Sequence, residues 1–190
     1  MPPLNSPGLL QVTLLMTIRP GHEPKQPTDP FQGSLTPLIA RCHTLPEGDG
    51  WMQPPFEFFD HTADVGLIAR GATLGEAFAN AARGMFALMV DLERVAEREE
   101  RRVEVAADDA EGLLVNWLAE LLFISDVDGL VFRRFDIEEA SETRLAARAF
   151  GEPLDLARHN PQLMIKAVTR HQLAVARDDA GCRVRVIFDI

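Results

Sequence analysis

Apolar and polar positions change rhythm several times beyond residue 55, and each change marks an element. Phe56-Glu57-Phe58-Phe59 and residues 65–69 are short apolar runs. The polar stretch Asp60-His61-Thr62-Ala63-Asp64 separates them, which predicts two strand segments with a loop between. After Gly71 the period becomes helical. Leu74, Ala77, Phe78, Ala81, Ala82, Met85, Phe86 and Met89 share one face, and Glu76, Asn80 and Arg83 lie off it. Thr73-Leu74-Gly75-Glu76 has the capping-box form, a hydroxyl followed three residues later by a carboxylate. The Met and Phe stripe reads as core facing a sheet rather than as a cofactor pocket.

A charged stretch, residues 93–102, leads into the alternating Val103-Glu104-Val105, a strand pattern. Asp108 with Glu111 supplies a second cap pattern, and Leu113, Leu114, Trp117, Leu118, Leu121 and Leu122 form the stripe of a second helix. Asp126-Val127-Asp128-Gly129 lacks the alternating ligands and distal Glu of a calcium loop. It predicts a helix exit with Gly in the left-handed conformation. Strands are expected at residues 131–137, 144–150, 165–176 and 183–187. A turn is expected at Gly151-Glu152-Pro153 and a hairpin turn at Asp178-Asp179-Ala180-Gly181. The expected fold class is α+β, two helices packed on a mixed, mostly antiparallel sheet of about six strands.

Composition adds a boundary. At 190 residues the chain suits one hydrophobic core, yet nine of its 13 Pro fall before Trp51. The expected organisation is a Pro-rich leader over residues 1–51 and one domain over residues 52–190, with Met52 where a domain would naturally begin. The leader reads as a disordered extension or as upstream sequence from a misassigned start. Its apolar run at residues 9–18 has neither the basic flank nor the small-residue cleavage site of a signal peptide. No apolar run reaches the roughly 20 residues of a membrane span. Cys42 and Cys182 give neither a metal spacing nor a disulfide framework, so a cytoplasmic, reducing setting is expected.

Net charge is −10, of which the first fifty residues carry −1, leaving −9 on the domain. Such a surface repels phosphate backbones and disfavours direct nucleic-acid binding. Basic partner proteins or divalent cations suit it better.

Three polar islands interrupt apolar strands: Asp60 to Asp64, Lys166 to His171, and the final Asp189-Ile190. Convergence of strand ends would bring them together. Lys166 is the domain's one lysine among arginines. It is either a compact ammonium suited to a tight polar pocket or an ordinary surface lysine. Asp64 and Asp189, with the terminal carboxylate of Ile190, would share a hard oxygen-seeking cation, or else the two aspartates are merely solvated loop acids. His61, His159 and His171 could serve as zinc ligands or general bases, but no ligand-spaced pair and no nucleophile–base pair accompanies them. The alternative for each is a hydrogen-bonded structural histidine. No Gly-rich phosphate loop is present, which disfavours a self-contained nucleotide-using enzyme.

Five features taken together resemble the archease family: Asp60-His61-Thr62-Ala63-Asp64-Val65-Gly66, Leu-Leu-Val-Asn-Trp-Leu at residues 113–118, Gly151-Glu152, Lys166-Ala167-Val168-Thr169 with His171, and Phe188-Asp189-Ile190. Their order and spacing agree over residues 56–190, and the leader has no counterpart. The resemblance implies a non-catalytic activator of an RtcB-type RNA ligase. Such a protein promotes the ligase's GTP- and metal-dependent guanylylation and turnover in tRNA splicing or RNA repair. It also implies a divalent metal, calcium by type, on Asp64, Asp189 and Ile190, with His61, Lys166 and His171 as a supporting polar cluster and no catalytic residue. The implied partner is the ligase, without sequence-specific nucleic-acid binding and without a membrane. Arg170 stands where the family pattern has an aromatic, and would either add positive charge near the acids or pair with one of them. Two rival readings are a stand-alone metal-dependent phosphoester hydrolase using Asp64, His61 and His171, and a passive interaction or chaperone module without a metal.

Overall fold

A computed structural model describes residues 54–60 in full, the backbone of His61, and residues 64–190. The leader and Cys42 lie outside the described residues, as do Thr62 and Ala63 of the first polar island.

Seven strands form two sheets. Strands β1 (Phe56–His61), β2 (Asp64–Gly71), β6 (Ala167–Asp178) and β7 (Gly181–Asp189) make a four-stranded sheet in the order β1-β2-β7-β6. Strands β3 (Glu99–Ala106), β4 (Leu130–Ala140) and β5 (Arg144–Pro153) make a three-stranded sheet in the order β3-β5-β4. Every pairing is antiparallel. The α+β class with two helices therefore holds, while the single mixed sheet resolves into two antiparallel ones. Alternation along one strand gives no information about which distant strand it joins.

Helix α1 (Leu74–Met89) packs on both β2 and β4, and so lies between the sheets. Its start follows the sequence pattern: Thr73 Oγ1 accepts from the Glu76 N–H at 3.1 Å, and the Glu76 carboxylate accepts from the Ala72 N–H at 2.8 Å. Helix α2 (Ala110–Asp128) packs on β6 and β3. Its cap is Asp109, which accepts from the Gly112 N–H at 2.6 Å, rather than the expected Asp108. Both aspartates offer a carboxylate, and the register of the apolar stripe decides between them. The helix ends as expected at Gly129, with φ 66°.

The core fills the space around the helices. Phe78, Phe86, Trp117, Phe132 and Phe188 are fully buried. Trp117 Nε1 donates to the Phe78 carbonyl at 3.1 Å, which ties α2 to α1 without leaving a buried donor unpaired. Each such large apolar side chain stabilises the fold by roughly 1.5–3 kcal/mol on burial.

Gly151-Glu152-Pro153 is not a turn but the last stretch of β5. Gly151 faces Phe132 beside a bulge in β4, and a Cβ there would stand 1.9 Å from the Val131 carbonyl oxygen. The glycine marks a close approach of two backbones, the other common meaning of Gly in a strand. On the outer face of this sheet, Arg148 pairs with Glu138 at 3.0 Å, Arg102 with Glu104 at 2.9 Å, and Arg134 lies 3.7 Å over the Phe150 ring. Half-exposed pairs of this kind contribute at most about 1 kcal/mol each. Together they neutralise the Arg-rich face. Among the described residues no helix is long and apolar enough to cross a membrane.

Candidate functional site

One end of the four-stranded sheet collects the polar islands. Asp64 opens β2 and faces Asp189, near the end of β7; Asp189 in turn faces Ala167, the first residue of β6. On the other side of β2, Asp64 faces His61. Residues directly opposite in an antiparallel pair share a face, so the two carboxylates emerge side by side. They lie on the outer face, because β2 and β7 turn Val65, Leu67, Val184, Val186 and Phe188 inward.

Lys166 is bound to the same end twice. Its N–H donates to the Asp189 carbonyl at 2.8 Å, and its Nζ donates to the Ile190 main-chain oxygen at 2.9 Å. The ammonium thus adds positive charge beside two acids on neighbouring strands, an arrangement that otherwise repels itself. Asp64, Asp189, Ile190, Lys166 and the backbone of His61 therefore meet at one sheet end.

His171 falls elsewhere along β6. Pairing runs from Thr169 opposite Ile187 to Ala174 opposite Arg185, so four residues, Arg170 to Leu173, oppose only Val186. His171 is exposed within this bulge, with its Nε2 3.2 Å from the side-chain amide of Gln172. Gln172 has φ 51°, a left-handed conformation unusual for a residue with a side chain. The Arg185 guanidinium bonds the Gln172 amide oxygen and lies 4.6 Å over the Phe59 ring, fixing the bulge to the sheet. Arg170 reaches to the start of α2. Its Nη2 stands 3.7 Å from where a Cβ on Gly112 would lie, near the Asp109 cap.

Thr169 was legible only as part of a motif, with no role. It lies on the outer face two residues beyond Ala167, and its hydroxyl is buried without a hydrogen-bond partner. The hydroxyl therefore stands one row in from the two carboxylates on the same face.

The third candidate histidine, His159, belongs to a different structure. It is fully buried, and its Nε2 lies 3.1 Å from Glu152, which is itself 1% exposed. Glu152 also accepts from the Ala96 N–H at 2.6 Å and from Arg158 at 2.8 Å. Despite burial, which opposes ionisation, the Arg158, Ala96 and His159 donors hold the Glu152 carboxyl down at about 2. The network fastens the segment after β5, which the His159 carbonyl also joins to Asp91 N–H at 3.0 Å. The sequence marks Glu152 only through the Gly151-Glu152 pair of the family resemblance, and no local pattern separates it from the surface glutamates around it.

The donor set at the sheet end is all oxygen: Asp64, Asp189 and the Ile190 main-chain oxygen, with the Thr169 hydroxyl nearby. It fits a hard cation better than zinc, which takes nitrogen and sulfur. Among the described residues no three His, Cys, Asp or Glu side chains cluster as metal ligands.

Residues 56–190 match the model of the archease protein family (MTH1598/TM1083). The chain is 42% identical over 139 residues to the protein archease of Pyrococcus abyssi, covering 71% of this chain and 98% of that one. It is 40% identical over 139 residues to the protein archease of Methanosarcina mazei, covering 71% and 95%. Among solved structures, the solution structure of protein 1598 of Methanobacterium thermoautotrophicum aligns with a TM-score of 0.60 at 40% identity, covering 72% of this chain and 99% of that one.

Proposed function

The chain belongs to the archease family, and on that premise we propose that it is a non-catalytic activator of an RtcB-type RNA ligase. In this reading it promotes the ligase's GTP- and metal-dependent guanylylation, and so its turnover in tRNA splicing or RNA repair. The observation that carries the reading is the placement of Asp64 opposite Asp189 at one sheet end, with Lys166 bound to the Ile190 oxygen beside them.

A divalent ion of calcium type would be held by Asp64, Asp189 and Ile190. When bound, it supplies a hard positive centre that offsets the paired carboxylates and attracts anionic oxygen. Lys166 holds Asp189 and Ile190 in place through its two hydrogen bonds, and the backbone of His61 pairs with Asp64. His171, in the β6 bulge, is a supporting polar residue further along the same strand. None of these residues is assigned a proton transfer or a covalent bond. The acidity of the domain supports a protein partner with a basic surface, since complementary charge speeds encounter.

The test is multiple-turnover RNA ligation by the same organism's RtcB-type ligase, with and without the protein and its Asp64→Ala variant. Stimulation by the intact protein that Asp64→Ala removes is expected. Ligation unaffected by the intact protein would sink the reading, and phosphoester hydrolysis by the protein alone would replace it.

A further inference from the structure

Helix α2 has a second apolar stripe that the fold leaves uncovered. Its buried stripe runs through Leu113, Leu114, Trp117, Leu118, Leu121 and Leu122. On another side, Phe123 and Val127 stand one turn apart at 59% and 64% exposure, an unusual setting for a large aromatic and a β-branched residue. Phe123 lines an open groove of ≈ 430 Å³ with Ala119, Glu120 and Asn116 of the helix and Val105 and Ala106 of β3. Asn116 donates to the Ala106 carbonyl at 2.8 Å, fixing the groove's wall. Beyond the helix, the Leu154 N–H bonds the Gly129 carbonyl at 2.7 Å, bringing exposed Leu154 up to its C-terminal end.

The charges on this helix are as telling as its apolar residues. It contains Glu111, Glu120, Asp126 and Asp128, and no basic residue. Asp126 and Asp128 sit at the C-terminal end, where the helix dipole is already negative and acids are unfavourable. Among the described residues, Glu120, Asp126 and Asp128 take part in no ion pair, although Arg101, Arg102, Arg133, Arg134 and Arg148 of the three-stranded sheet each pair with a carboxylate. Exposed apolar side chains and self-opposing acids are poor choices for an isolated helix, and both become favourable against a partner that brings apolar surface and cations. A second copy of the chain would bring the same net charge of −10.

We propose that the outer face of α2, from Ala119 to Val127, is the surface by which this protein docks on its ligase, against an apolar patch of that enzyme rimmed by Arg or Lys. This rests on the activator reading, and separates affinity from action: α2 supplies binding, and the Asp64–Asp189 end acts.

The experiment titrates the protein into multiple-turnover ligation and measures the concentration for half-maximal stimulation. Phe123→Ser with Val127→Ser should raise it about tenfold or more while keeping the plateau, as loss of an interface aromatic does. Glu120→Gln with Asp126→Asn and Asp128→Asn should raise it too, and flatten its dependence on salt. Asp64→Ala should still compete with the intact protein for the ligase, and lose that competition once the two serines are added. Unchanged half-maximal concentrations in both surface variants, with stimulation intact, would overturn the docking surface and leave the activator reading standing. A dimer of the intact protein that the serine variant disperses would assign the face to a second copy and overturn the proposal. No binding or stimulation by the intact protein would remove both readings.

Discussion

His159 receives the Asp155 N–H on Nδ1 at 3.1 Å and presents Nε2 to Glu152 at 3.1 Å, so its ring proton sits on Nε2 and points at the buried carboxylate. A loop N–H thereby sets the tautomer, and the tautomer supplies one of the donors that keep Glu152 ionised.

Acid stability follows from that carboxylate. The Glu152 pKa falls from the usual 4.5 to about 2, so its contribution is complete above about pH 4.5 and is lost as pH falls towards about 2. Glu152→Gln, which removes the buried charged acceptor of the Ala96 N–H and His159, should destabilise the domain by roughly 1.5–3 kcal/mol at pH 7. Urea unfolding from pH 7 to pH 2 checks both, and the variant should lose less stability than the wild type over the acid range. Equal acid slopes would mean that Glu152 is not the group responsible.

Thr169→Val removes a hydroxyl whose oxygen is buried on a half-buried residue, and keeps the branched shape a strand favours. Without added metal it should raise stability, by up to about 1 kcal/mol. With calcium the variant should show a smaller rise in Tm than the wild type. A loss of stability in the metal-free protein would show that the hydroxyl has a partner after all.

Asp64→Ala relieves two like charges placed directly across a strand pair. The calcium-dependent rise in Tm should therefore disappear in the variant. Calorimetric titration with calcium provides the independent check: heat of binding retained by the variant would move the ion elsewhere.

The cap of α2 can be tested by a pair of substitutions. Asp109→Ala should cost about 1 kcal/mol, the usual loss for an N-cap carboxylate, and Asp108→Ala should change stability by less than about half of that. Thermal unfolding of the two variants ranks them directly.

Much of this fold was written locally. Thr73 with Glu76, the stripe from Leu74 to Met89, and Gly129 each act within a few residues of themselves, so the chain announces them. The convergence of Asp64, Lys166 and Asp189 was readable for a related reason: each stands at the end of an apolar strand run, and strand ends gather where sheets end. Features decided by a distant strand were hidden. Gly151 looked like a turn because its reason is the Val131 carbonyl twenty residues earlier, across the sheet. The bulge from Arg170 to Leu173 exists only relative to Val186, and no pattern within β6 announces it. His159 and Glu152 lie seven residues apart, yet their burial depends on α1 and the strands around them.

Lys166 carries a practical consequence of the chain's preference for arginine. The whole sequence has two lysines, Lys25 and Lys166, and residues 54–190 contain only the second. An amine-directed acylating reagent therefore has a single side-chain target in the described domain, and that target is hydrogen-bonded to the Ile190 oxygen beside Asp189. Acylation at Lys166, made without any mutation, reads out or silences the acidic end of the sheet while leaving the lysine-free α2 face chemically untouched.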